Sequence, residues 1–250
     1  MNVALPRPIG GAGQLGRYGM PADEDERLLE RSIAMQNRQT AVSVPVGAPD
    51  SELCQRATAL VAELSPAFLF NHCARSFLFG DAIGKRDGLQ YDRELLYLSA
   101  MLHDLGLTDS YVGADQRFEL EGADRARAFL VEQGLDARKA DVVWDAIALN
   151  SSFGIALRKG PEIALAHLGV SADFLGTRLA DLSPERVEQI VREYPRPAFI
   201  ASAANLLAEC ARRKPQFVPG TFLEIVVHSH APDVRVPTFA DLLAQSPWTE

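Results

Sequence analysis

The chain has 250 residues, 47% of them hydrophobic, enough to bury one sizeable core and to imply one domain, or two at most. Its 25 Lys and Arg stand against 33 Asp and Glu, a formal net charge of -8, so attraction to a phosphate backbone has no general support and no nucleic-acid partner is expected. The three cysteines, Cys54, Cys73 and Cys210, form no C-x-x-C pair, which argues against a disulfide framework or a cysteine-rich zinc site and fits a reducing cytoplasm.

Residues 1–22 are rich in Gly and Pro and carry no sustained apolar period, so they read as an irregular arm. Apolar positions within that arm leave contact with a second subunit open, hence a homo-oligomer. No basic region followed by an apolar run begins the chain, and no stretch approaches the ~18 apolar residues of a membrane span. The expectation is a cytoplasmic protein with a small-molecule substrate and no membrane partner. A short helix is predicted over "DEDERLLERSIAMQNRQ", and "VPVGAPDS" reads as a linker. The arm and linker occupy residues 1–50, and a helical domain fills 51–250.

From Glu52 onward, helix follows helix. Ser65-Pro66 supplies a start signal, with Gly84 and Gly88 at the far end. Asp92 caps the next helix, which Gly106 closes. Another begins near Gly122 and ends at Gly134. Asp136 caps a helix running to about Asn150, Pro161 opens "PEIALAHLGVSADFLGTRLADL", Ser183-Pro184 starts the following one, and residues 197–212 form an Ala-rich helix. Only "FLEIVVHSH" hints at a strand, and it is too short to decide. The fold class is all-α.

The chemistry concentrates in "LSAMLHDLGL", where the adjacent His103 and Asp104 interrupt a buried apolar helix end. A buried carboxylate without a partner is costly, so a hydrogen bond or a cation must compensate it. In "SPAFLFNHCARSFLFG", His72 shares a helical face with Phe68, Leu69 and Phe79 and points inward. Gly169 and Gly176 flank Asp173 on its helix face and are expected to leave open space there for an ion, water or substrate. Two imidazoles and two carboxylates suit one divalent metal, zinc first, with iron or manganese as alternatives.

The ordered set of His72, His103-Asp104 and Asp173 resembles the HD-domain superfamily of helical metal-dependent hydrolases. The segments "FNHCARSFLFG", "DRELLYLSAMLHDLGLT", "RFELEGADRARAFL", "VWDAIALNSSFGIA" and "EIALAHLGVSADFLG" are similar, in that order, to the cyanamide-hydratase-like branch. The resemblance covers roughly residues 50 to 240. It implies an HD-type helical bundle, a metal held by His72, His103, Asp104 and Asp173, and hydration or hydrolysis of a small molecule. In the enzyme that names the branch, cyanamide becomes urea with zinc. The chain departs from the pattern at "AIALN", where Asn150 stands in place of an expected His.

The leading expectation is therefore a metal-dependent hydratase or hydrolase that adds water to a small polar nitrile-like or amide-like nitrogen compound. Asp104 or Asp173 is placed to accept a proton, and Arg75 and Asn150 are candidate substrate contacts. Asn150 has a second reading, as a helix C-terminal residue. The rival enzyme is an HD-type phosphohydrolase of nucleotides or phosphomonoesters, which calls for converging basic donors where only Arg75 and the more distant Arg117 stand near. A degenerate scaffold that binds a ligand without turnover is the non-enzymatic alternative. Glu119, Trp144, His167, His228 and His230 are left out of the site.

Overall fold

The structure, a computed structural model, describes residues 44–108 and 116–248. The arm and the short helix predicted within it lie outside these residues. Among the described residues the regular structure is helical, with no strand: α1 (Glu52–Leu64), α2 (Ala67–Arg86), α3 (Arg93–Leu102), α4 (Phe118–Glu132), α5 (Ala137–Ala148), α6 (Pro161–Leu175), α7 (Pro184–Glu193), α8 (Phe199–Arg213), α9 (Phe222–His230) and α10 (Phe239–Ala244). The all-α expectation holds.

Many boundaries fall where local chemistry puts them. The Asp92 carboxylate accepts from the amides of Glu94 and Leu95, that of Asp136 from Arg138 and Lys139, and the Ser183 hydroxyl from Arg186, so each satisfies orphan donors of a first turn. Pro161 occupies the first position of α6, where its missing N–H costs nothing. Some boundaries differ from expectation. Helix α4 begins at Phe118 rather than near Gly122, and "FLEIVVHSH" is helix α9. In α9 the β-branched residues favour a strand only weakly, whereas Leu223, Val226 and Val227 share a helical face buried against Leu207, Ala208 and Ala211 of α8.

The centre of the domain is the antiparallel pair α2 and α6. His72 meets Asp173, Gly169 meets Ser76, and Gly80 meets Leu165. Each step is four residues, ascending on α2 and descending on α6, so one turn on each helix registers against one turn on the other. A Cβ on Gly169 would lie 2.0 Å from the Ser76 carbonyl oxygen, and one on Gly80 would lie 2.6 Å from that of Leu165. These glycines let two backbones touch. The expected open space beside Asp173 is thus corrected: the Gly169 face is filled by α2, and Gly176 is the left-handed cap that ends α6, at φ +75°.

A second close approach supports the His-Asp pair. Helix α3 ends at Leu102, and Leu105–Leu107 form a single 3-10 turn. A Cβ on Gly106 would lie 1.9 Å from the Phe118 carbonyl oxygen. Gly106 therefore docks the turn onto α4 and, contrary to expectation, does not close α3, which ends four residues earlier. The main core covers α1 to α7, and a smaller apolar cluster around α8 and α9 supplies Leu107, Phe118, Phe174, Leu206, Leu207 and Phe222 to the wall of one cleft.

Candidate metal centre

His72 sits in α2 with 3% of its surface exposed, and His103, at the end of α3, has 2%. The Nδ1 of His72 lies 2.6 Å from Asp173 Oδ2, and the Nδ1 of His103 lies 2.8 Å from the Ala100 carbonyl oxygen. A carboxylate and a carbonyl only accept, so both rings carry a proton on Nδ1. That leaves Nε2 of each ring, which a cation or a second proton can occupy, facing the same carboxylate oxygen. Asp104 Oδ2 is 3.2 Å from His103 Nε2 and 3.8 Å from His72 Nε2. His103 Nε2 is fully buried and makes no hydrogen bond.

Ligand atoms of His72, His103 and Asp104 all lie within 4.8 Å of one another. Two imidazole lone pairs, one of them orphaned, and one carboxylate oxygen are the donor set of a divalent cation with open positions for water. The local field agrees. Burial works against a charge on His103, but Asp104 and then Cys73 outweigh it, holding its pKa well above the ordinary value. Burial likewise opposes the Asp104 charge, and His103 with His72 more than compensates, lowering that carboxyl. Positive charge is favoured where the three side chains meet.

Asp173, the fourth expected ligand, does not join this group. Its side chain is fully buried on the far side of the His72 ring, with Oδ2 taken by His72 Nδ1. Arg75 grips both oxygens, from Nε at 2.7 Å and from a terminal nitrogen at 2.8 Å, and Arg196 binds Oδ1 as well as the Asp173 carbonyl. Burial raises the pKa of the Asp173 carboxyl, but the bonds from His72 and Arg75 dominate and bring it down to about 2. Arg75 itself is completely buried, and its remaining bonds go to the carbonyls of Tyr194 and Pro195. It does not face the cleft.

Arg196 was not among the expected site residues. It reaches Asp173 from the turn before α8, where Ala198 adopts φ +50°. A left-handed conformation costs an L residue about 1–2 kcal/mol. Immediately after that turn, Phe199 stacks on His72 with ring centres 5.0 Å apart, and the guanidinium carbons of Arg75 and Arg196 lie 5.0 and 4.7 Å from its ring centre. One lone sequence gives no signal that these distant residues converge.

His72, His103 and Asp104 lie at the buried end of a cleft of about 640 Å3, counting the part open to solvent. Phe118, Phe153, Phe174, Phe199 and Phe222 supply most of its rings, and Asn150, Ser151 and Ser171 its other polar side chains. No Lys or Arg lines it among the described residues. Asn150 lies on the cleft wall, and its side-chain amide donates to the Ile147 carbonyl at 2.9 Å, closing the end of α5. Its own carbonyl accepts from His167 Nδ1 at 2.6 Å. Ser151 donates to Glu119 Oε1 at 2.7 Å, which draws the buried Glu119 to the back of the cleft wall.

No family model matches the chain. The sequence is, however, similar to two curated yeast proteins. Cyanamide hydratase DDI2 and cyanamide hydratase DDI3 of Saccharomyces cerevisiae are each 26% identical to it over 198 residues, which cover 76% of this chain and 85% of theirs. The aligned length is greater than the span from His72 to Asp173, so the likeness extends well beyond a short motif. No helix among the described residues is long and apolar enough to cross a membrane.

Proposed function

We propose that the chain is a metal-dependent hydratase that adds water to a nitrile-like or amide-like nitrogen compound. The observation that carries this reading is the convergence of two tautomer-fixed imidazoles and Asp104 at the buried end of the cleft. Similarity to two cyanamide hydratases favours water addition over other chemistries of such a centre.

In this reading His72 Nε2, His103 Nε2 and one Asp104 oxygen hold the cation. When bound, a divalent cation acidifies water and polarises an electrophile. Asp104 accepts the proton of the attacking water at its free oxygen and returns it to the substrate nitrogen. Asp173 does neither, because its oxygens are committed and its pKa is low. It orients His72 through Nδ1, as carboxylates behind metal-bound histidines do. Ser151, its hydrogen given to Glu119, presents lone pairs that accept a substrate N–H.

Phosphate transfer is the weaker reading, because a phosphomonoester needs cationic donors and the described cleft wall has none. The deciding experiment is a panel with zinc-loaded protein: cyanamide and simple nitriles on one side, phosphomonoesters and nucleotides on the other. Turnover of the first set, abolished in Asp104→Ala, supports the hydratase. Phosphate release abolished by the same substitution would replace it with the phosphohydrolase, and bound zinc without any turnover would leave a ligand-binding protein.

A further inference from the structure

The aromatic side chains of the cleft form a connected series. Phe199 stacks on His72, Phe174 meets Phe199 edge to face at 5.6 Å, Phe222 meets Phe174 at 6.1 Å, and Phe153 meets Phe222 at 6.3 Å. The series begins at an imidazole 3% exposed and ends at a ring 54% exposed, so it runs from the candidate metal centre to solvent. The two edge-to-face pairs, Phe199–Phe174 and Phe174–Phe222, present both π faces and hydrogen-bearing edges, the surroundings that aromatic guests prefer.

Cyanamide has three heavy atoms. The cleft continues past the histidines along Phe174 and Phe222 to the exposed Phe153, a path longer than a three-atom molecule. A three-atom substrate bound at the histidines would leave the phenylalanine rings beyond it facing water, at the usual cost of exposed apolar surface. An apolar body along the rings removes that mismatch. The polar side chains available to fix a head group, Ser151 among them, are few.

The geometry points to a substrate that joins a C≡N head to an aromatic body, an aryl nitrile or aryl cyanamide, with the head at His72, His103 and Asp104 and the ring along Phe174 and Phe222. This inference rests on the hydratase reading of the same site. The reaction balances without a redox partner. Water forms the new C–O bond, both π bonds between carbon and nitrogen are lost, the carbon keeps a C=O, and the nitrogen receives the two hydrogens of water, giving an amide or an aryl urea.

Zinc-loaded full-length protein separates the two ideas, with cyanamide, acetonitrile, benzonitrile and phenylcyanamide as substrates and product formation followed by chromatography. The expected kcat/KM for phenylcyanamide exceeds that for cyanamide by at least about tenfold, the lower end of what burying an aromatic group provides. Phe222→Ala is expected to reduce that ratio several-fold and Phe222→Leu to keep most of it, with metal content reporting on the fold. Cyanamide turned over as well as or better than phenylcyanamide overturns the inference and leaves the hydratase standing. Turnover of no nitrile by a fully loaded protein removes the hydratase reading and the inference with it. A ratio unchanged in Phe222→Ala also counts against the placement of the ring.

Discussion

Asp173 touches His72 at Nδ1, across 2.6 Å, on the side of the ring opposite to the nitrogen that faces Asp104. One carboxylate therefore fixes the tautomer and another shares the lone pair it exposes. The same Asp173 is the counter-ion of Arg75, which has no exposed surface at all.

Asp173→Asn should consequently damage two properties at once. It strands the buried Arg75 charge, a loss of about 3–5 kcal/mol for a broken buried pair, and it frees His72 to rotate, a loss of about 10- to 100-fold in metal affinity. Chemical denaturation of metal-free protein and a zinc titration measure the two separately. Asp104→Asn is expected to weaken zinc binding with a much smaller effect on the metal-free stability, since no buried arginine depends on it. Equal stability effects from the two substitutions would count against this division of roles.

The register of α2 and α6 makes Gly169 a structural requirement. In Gly169→Ala the new methyl meets the backbone of Ser76 at 2.0 Å, and a backbone cannot swing aside as a side chain does. The expected loss is at least about 3 kcal/mol, the upper end of overpacking costs, with weakened zinc binding because Asp173 lies one turn away. Gly160→Ala is the control. Its Cβ would lie 3.5 Å from a Glu162 oxygen at an ordinary φ, so the change should stay within about 0.5 kcal/mol in urea unfolding.

Asp81 gives the domain a component of acid sensitivity far from the metal centre. It is 1% exposed and receives bonds from Lys85, Tyr91 and Arg93, tying α2 to the start of α3. Burial raises the pKa of its carboxyl, but the bonds from Arg93 and Lys85 prevail, so the folded pKa is depressed below 3.8. Its stabilisation is then fully present above the unfolded pKa and is lost as pH falls through the folded one. Asp81→Asn should cost about 2–3 kcal/mol at pH 7, less than a fully enclosed pair because Lys85 and Arg93 are partly exposed. The gap in thermal stability between variant and wild type should narrow progressively as pH falls below about 4. A gap that widens on acidification would reverse the sign.

Asn150 bonds to Ile147 at the end of α5, and its neutral amide is a weak ligand beside two imidazoles and a carboxylate. Asn150→Ala should cost about 1 kcal/mol, the ordinary worth of one such bond, and leave zinc stoichiometry unchanged. Unfolding in urea and elemental analysis of the same preparation check both halves. Loss of the metal in this variant would contradict that reading and place Asn150 among the ligands.

Much of this architecture was legible from local chemistry. Asp92, Asp136, Pro161 and Ser183 announce helix starts because capping depends on a few adjacent atoms. His72, His103 and Asp104 were each legible as buried polar groups that need compensation, and their order along the chain, resembling the HD pattern, grouped them. Asp173 was placed near them, but spacing along a helix cannot tell which nitrogen of His72 a carboxylate will meet. Nor can it tell whether a missing Cβ makes room for a ligand or for another backbone, which is why Gly169 was read as open space. Arg75 faces inward to an anion of the protein itself, a pairing completed by Arg196 from a distant turn.

Metal stoichiometry is the most direct test of the centre. Purified wild-type protein exposed to zinc and desalted is expected to retain about one ion per chain by elemental analysis, and both His103→Ala and Asp104→Ala, equally folded by circular dichroism, should retain little. Full retention of the ion in both variants would contradict a centre built from His72, His103 and Asp104.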